Sequence, residues 1–320
     1  MFKNILIVLV FTSYLVASGQ STDTLLLHGA EITAPRGMLY ETGSNITILD
    51  SGLVARSCNL SLGTLLSDYT SLYIKSFGPG GSSIVCSRGG ESRHTAVLWQ
   101  GFNINSSTLG MADLSLIPVS FCDRIAIVKG GTSAINGNSA LGGVLLLDSE
   151  NPSFNGKESF KIATDAGSFG TNNISGIFKS GSDKIESITS VNYGTTKNNF
   201  KYVNLAKRGF PNERMSHASS DRFGLVQDFR FKTGPNQFAT VTAWYQTVFR
   251  EIPPLMTDPQ GTATQSDSSF RIVTGYHFEK GKHFLLAKAM AGGAAVSEAT
   301  PWRASAEGPG YLVRPIFCST

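Results

Sequence analysis

From Lys157 onward, bulky apolar and polar side chains alternate, and that period of two commits this part of the chain to strands. In 222–232, Phe223, Leu225, Phe229 and Phe231 fall on one side, and Arg222, Asp228, Arg230 and Lys232 on the other. In 270–278, Phe270, Ile272, Tyr276 and Phe278 oppose Arg271 and His277, and 160–165 repeats the pattern. A strand divided in this way needs an apolar medium on one side and a polar one on the other. A barrel strand between lipid and a wet lumen meets that need, and so does a strand of a soluble sandwich. Link lengths favour the barrel. The links at 181–183, 234–236 and 280–281 are tight turns, whereas 195–221 and 251–268 are long. Brief turns on one rim and long loops on the other suit a membrane barrel, and a sandwich has no reason to sort its loops.

The preceding block, from about Leu25 to Pro152, follows another grammar. Short β-like runs occur at 83–85, 95–99, 124–128 and 143–147, and Leu62, Leu65, Leu66 and Tyr69 recur at helical spacing behind Asn59 or Ser61 as an N-cap. This half reads as a compact α+β domain with glycine loops. The chain as a whole has 34 glycines and 16% charged residues, a composition poor for helices. Its formal charge of +4 includes no dense Lys/Arg patch, so nucleic acid is not an expected partner.

The chain opens with Met1, Phe2 and Lys3, an apolar run over 5–17, and the small residues Ala17, Ser18 and Gly19. That is the build of a secretory signal, too short to span a bilayer comfortably. The expected organisation is a signal peptide over 1–19, a leading segment and linker over 20–35, an α+β domain over 36–152, and a partial antiparallel β-barrel over 157–288. An atypical tail over 289–320 completes it. About seven strands are countable before alternation fails near Ala289. The Ala- and Gly-rich tail lacks an aromatic closing strand, so a C-terminally truncated chain is expected. Seven strands alone would enclose a lumen too narrow for the preceding domain.

Chemistry-bearing motifs are scarce. The glycine-rich stretch 129–143 places Lys129 before its glycines and leads into strand-like sequence, so it lacks the spacing of a phosphate loop. No dinucleotide fingerprint, HExxH, GxSxG or zinc-like cluster occurs. His28, His94, His217, His277 and His283 are scattered singly. Cys58, Cys86, Cys122 and Cys318 have no metal-ligand spacing and read as small buried hydrophobes before disulfide partners. No catalytic residue, metal or cofactor is expected, and the chain is not read as an enzyme.

An ordered string remains. It runs Ser82-Ser83-Ile84-Val85-Cys86-Ser87-Arg88-Gly89, Val97-Leu98-Trp99-Gln100-Gly101-Phe102 and Asp113-Leu114-Ser115-Leu116-Ile117-Pro118. It continues with Asp123-Arg124-Ile125-Ala126-Ile127-Val128-Lys129-Gly130, Ser133-Ala134 and Ala140-Leu141-Gly142-Gly143. This string resembles the plug domain of TonB-dependent outer-membrane receptors, over roughly 60–148. Departures from the family pattern are Ser87 for Ile, Gln100 for Asp, Ala126 for an acidic residue and Gly131 for Pro. The run at 99–105 and Arg250-Glu251-Ile252-Pro253-Pro254 look most like Bacteroidetes-type receptors, cobalamin-receptor-like ones included.

The resemblance implies a receptor of the outer membrane, in contact with its lipid, that imports a scarce nutrient such as a siderophore–iron chelate or cobalamin. Asp23, Thr24, Leu25, Leu26 and Leu27 resemble the TonB box, which the periplasmic energy coupler TonB would capture by strand addition. By position, Gly81, Ser83, Gly90, Thr108 and Leu109 would contact substrate, and Arg88 and Arg124 would pair plug with barrel. The alternative of another class is an exported soluble β-sandwich that serves in binding or adhesion.

Overall fold

The computed structural model describes residues 45–78, 80–87, 89–106, 108–130, 139–256, 261–280, 283–302 and 310–319. The expected signal peptide and TonB box, and with them Arg88, lie outside the described residues.

The first domain is α+β. Its strands are β1 (Asn45–Ile48), β2 (Tyr73–Ser76), β3 (Ser83–Cys86), β4 (Thr95–Trp99), β5 (Phe102–Asn103), β6 (Arg124–Lys129) and β7 (Gly143–Asp148), and its helices are α1 (Ser51–Arg56) and α2 (Leu62–Tyr69). Helix α2 begins at Ser61, whose Oγ accepts from the Thr64 amide at 3.3 Å and so satisfies one of the orphan donors of the first turn. Leu62, Leu65 and Leu66, at the spacing legible in the sequence, are wholly buried. Five strands form a sheet in the order β1-β6-β7-β4-β5, with β4 and β7 parallel. Val97, Trp99, Ile125, Ile127, Leu145 and Leu147 join the core on the α2 side, and Ala96, Leu98, Val128 and Val144 form a second cluster with Ala140. Because apolar groups cover both faces, 95–99 reads as a continuous apolar run and every one of its residues is buried.

The end of the glycine-rich stretch, Gly142 and Gly143, packs against this sheet. Gly143 has φ of +156°, and a Cβ there would stand 2.8 Å from the Val128 carbonyl oxygen. The Gly142 amide donates to the His94 carbonyl at 2.8 Å, and the Ser87 hydroxyl donates to the Gly142 carbonyl at 3.0 Å. The glycines in this described part allow a close backbone approach.

The second part is an antiparallel wall. It comprises β8 (Ser159–Gly167), β9 (Thr171–Gly181), β10 (Ile185–Thr196), β13 (Ser220–Gly234), β14 (Gln237–Glu251), β15 (Thr264–Lys280), β16 (His283–Trp302) and β17 (Gly310–Ser319). A hairpin, β11 (Lys201–Val203) with β12 (Asn212–Arg214), stands in the long loop between β10 and β13. The eight wall strands pair in an open sheet in the order β17-β16-β15-β14-β13-β10-β9-β8.

Alternation falls as the sequence reading set it. In β13, Phe223, Phe229 and Phe231 are exposed, whereas Gly224, Val226, Asp228 and Arg230 are buried. Tyr245, Phe249 and Phe270 extend the exposed aromatic face on β14 and β15. A soluble sandwich would cover such a face with a second sheet; among the described residues the outer side is apolar and exposed, as a lipid-facing wall requires. The expected boundary at 288 differs from the structure. Strand β16 continues past Ala289 to Trp302, paired with β15 from Lys280↔His283 to Thr264↔Ala299, and β17 adds an eighth strand within the tail. Backbone pairing holds an Ala- and Gly-rich strand in register without the bulky side chains that make a strand readable.

Candidate functional site

The wall's inner face packs against the first domain, and the contact has two chemically distinct seams. The first is dry and aromatic. Val226, Trp244 and Val273 of the wall belong to the same buried cluster as the first domain's core. Trp244, only 1% exposed, meets Trp99 from the end of β4 edge-on with ring centroids 5.0 Å apart, and Phe121 at 6.0 Å. The guanidinium of Arg271 lies 4.9 Å from the Trp244 ring centroid, a cation–π contact. Gly224 gives Phe121 its place, because a Cβ there would stand 2.7 Å from two atoms of the Phe121 ring. Beside this seam Cys122 is buried among apolar groups, which pushes its thiol pKa far up and leaves it a protonated, inert packing residue.

The second seam is polar. Asp113 accepts from the Ser83 amide (2.9 Å), the Ser115 amide (2.9 Å) and the Ser115 hydroxyl (2.6 Å), and so ties three points of the first domain together. Its other oxygen meets Nη2 of Arg250, a residue of β14 that is 4% exposed, at 3.1 Å. The same Nη2 stands 3.5 Å from Asp267 of β15, and Nη1 of Arg250 donates to the Ser82 hydroxyl at 3.1 Å. Nearby, Arg222 donates to the Ser115 carbonyl at 3.1 Å. Farther round the wall, Ser175 donates to the Cys58 carbonyl at 3.3 Å and Lys288 to the Gln100 carbonyl at 3.0 Å. A cleft of about 520 Å³ runs between the domain and the wall here, lined by hydroxyls, amides and glycines, with Asp165, Arg222 and Arg250 as its charged residues.

The sequence-derived substrate residues do not converge. Gly81 and Ser83 line this cleft, whereas Gly90 lines a separate cavity of about 570 Å³ with Lys129, Cys86 and Tyr73. Thr108 and Leu109 sit on the loop after β5, Leu109 largely exposed. Arg124 faces Asp148 across the β6–β7 pair. Burial pushes the Asp148 carboxyl up, against the opposing pull of wall residue Lys288 and of Arg124. Within the described residues, no group of His, Cys, Asp and Glu could hold a metal ion. Three residues that make the polar seam, Asp113, Arg222 and Arg250, were not singled out for that role. Asp113 and Arg250 stood within quoted motifs, and their convergence from opposite halves of the chain is a tertiary fact.

On the long loop between β10 and β13, Asn204 and Lys207 donate to Glu213 and hold its carboxyl below the usual range. Asn204 also donates to the Met256 carbonyl, and His217 stands between the Ala263 carbonyl and Glu251, so the two long loops are linked at several points.

Comparison with known proteins gives this arrangement its context. Residues 39–144 match the family model of the TonB-dependent Receptor Plug Domain. The vitamin B12 transporter BtuB of Photobacterium profundum is 39% identical over 85 residues, 27% of this chain and 14% of that protein. BtuB of Vibrio vulnificus is 46% identical over 68 residues, 21% and 11% of the two chains. Among solved structures, the siderophore receptor PiuA from Acinetobacter baumannii superposes with a TM-score of 0.62 at 12% identity, over 81% of this chain and 37% of that one. The ferric enterobactin receptor PfeA from Pseudomonas aeruginosa gives 0.60 at 12%, over 87% and 46%. The chain thus spans less than half the length of these relatives, and the Bacteroidetes-type likeness gains no support from them. The family is one of receptors and transporters, not an enzyme family. The first domain matches the plug domain of TonB-dependent receptors, and the eight strands share the fold of part of the barrel in the solved receptors.

Proposed function

We propose that this chain serves energised uptake of a scarce nutrient, of the siderophore–iron or cobalamin type, across the outer membrane. The observation that carries the reading is the division of the plug–wall contact into an aromatic seam and a polar one beside an open cleft. A plug that must both seal and yield needs a firm attachment and a contact whose hydrogen bonds water can replace. In this reading TonB captures Asp23, Thr24, Leu25, Leu26 and Leu27 as an added strand, and the pull is felt by the plug. The polar seam, with Gly81 and Ser83 on its cleft, then yields. Gly90, Thr108 and Leu109 are further substrate contacts on the plug, and Arg88 and Arg124 contribute to its pairing with the wall.

The test is accumulation of labelled cyanocobalamin and of labelled ferric siderophores by cells that carry this chain, with and without TonB. Uptake that requires TonB and falls to background in Leu26→Pro is the expected result. Accumulation indifferent to both changes, or none above cells without the chain, would sink the reading.

A further inference from the structure

The plug–wall cleft holds two arginines whose surroundings differ. Arg250 is bracketed by the carboxylates of Asp113 and Asp267. Arg222 is its diagonal neighbour, since it pairs in register with Val248, two residues before Arg250. Among the described residues, no carboxylate lies within ion-pair distance of Arg222, and its one hydrogen bond goes from Nη1 to the Ser115 carbonyl. Its Nε is shielded from solvent and has no partner among the described residues. A guanidinium carries five donors, and a shielded one is costly to leave unfilled. The Ser115 carbonyl brings a partial charge only, so the full cation faces the cleft without a counter-charge.

The surroundings of Arg222 are suited to a ligand. Ser61, Thr64, Asn173, Thr195 and Ser220 present hydroxyls and an amide to the same space. Asp165, the carboxylate on the lining, accepts from Asn173 Nδ2 at 3.4 Å. Gly194 has no side chain to close over the guanidinium; a Cβ there would stand 3.2 Å from Nη2. A volume of about 520 Å³ lies in the range of small-molecule sites. A planar fork with free donors beside many hydroxyls selects two acceptor oxygens on one atom. We propose that Arg222 anchors an oxyanion, the carboxylate or phosphate group of a small hydrophilic ligand, in the plug–wall cleft. Arg250 is already neutralised and serves as the neighbouring structural clasp. The inference requires the fold but not uptake, so binding in detergent can succeed or fail independently of transport.

The experiment is calorimetric titration of the full chain in detergent micelles with inorganic phosphate and, separately, with succinate. Saturable one-site binding is expected for at least one of them, weakened about tenfold or more in Arg222→Gln and unchanged in Arg208→Gln, which alters an exposed loop residue. The arm that binds identifies the group as phosphate or carboxylate, and binding in either arm supports the site. Because Arg222→Gln also removes a plug contact, phenylglyoxal labelling of the unaltered chain gives a second reading. The bound anion should slow modification of Arg222 severalfold and leave Arg208 unaffected. Binding that is equal in Arg222→Gln, or absent for both anions with Arg222 unprotected, overturns the proposal and leaves Arg222 a plug-docking residue.

Discussion

The two seams between plug and wall use opposite physics. At the aromatic seam, Trp244, Trp99 and Phe121 exclude water, and their contact rests on buried area and ring geometry. At the polar seam, Asp113, Arg250 and Asp267 form a charged cluster beside an open cleft. Such a cluster fixes geometry well but contributes modest net stability, because the cost of taking its charges out of water offsets much of their attraction. The difference teaches where a plug can be held and where it can be released: the dry seam resists wetting, and the polar seam exchanges one set of hydrogen bonds for another.

The largest expected effect comes from removing the dry seam. Trp244→Ala should destabilise the plug's attachment by about 3–5 kcal/mol, the usual cost of emptying a large aromatic site. Alkylation of Cys122, negligible in the unaltered chain, should accelerate strongly, and unaccelerated labelling would show that this seam does not hold the plug. Asp113→Ala comes next. It strands the Ser83 and Ser115 donors and leaves Arg250 with Asp267 as its one paired carboxylate among the described residues, at a cost of about 2–3 kcal/mol. Limited proteolysis within 78–83 should quicken while Cys122 stays protected. Parallel changes in both readouts would mean that the seams are one cooperative unit.

Much of this was legible beforehand, and the reasons are local. Alternation in 222–232 gave the wall's two faces, because a strand's side chains obey a period of two whatever surrounds them. The spacing of Leu62, Leu65 and Leu66 gave α2 for a similar reason. The end of β16 is not legible in the sequence because its Ala- and Gly-rich residues pair through their backbones and leave no hydropathy signal, and β17 is known only from its pairing with β16. The seams were hidden for a different reason. Asp113 and Arg250 are 137 positions apart, and nothing in either neighbourhood names the other. Gly224 carries no mark in the sequence that sets it apart from other strand glycines; only the Phe121 ring packed against it does.

That glycine supplies a sharper test of the dry seam. Gly224→Ala adds one methyl group where the Phe121 ring lies, and a cost of about 1–2 kcal/mol is expected. The change is small enough to leave the wall intact, as unaltered heat-modifiability on a gel would confirm. Phe121→Leu, combined with it, should recover part of the loss. If the double variant is no better than the sum of the single ones, the two residues do not share the contact.

The smallest effect is a pH dependence at Asp148, which sits between the seams' two parent domains in the fields of Arg124 and Lys288. Burial raises its folded-state pKa despite those two cations, so the folded plug binds this proton more tightly than the unfolded chain does. The contribution to stability is therefore greatest below the ordinary aspartate value, near 3.9. It declines as pH rises from there through the raised folded-state value, and is constant above it. Asp148→Asn removes the titration, so the variant's denaturant midpoint should lose that decline while other carboxylates keep theirs. A difference curve between the two proteins that is flat across this acidic window would show that Lys288 and Arg124 fully offset the burial. The wall's cation would then be as effective at this edge of the plug as Arg250 is at the other.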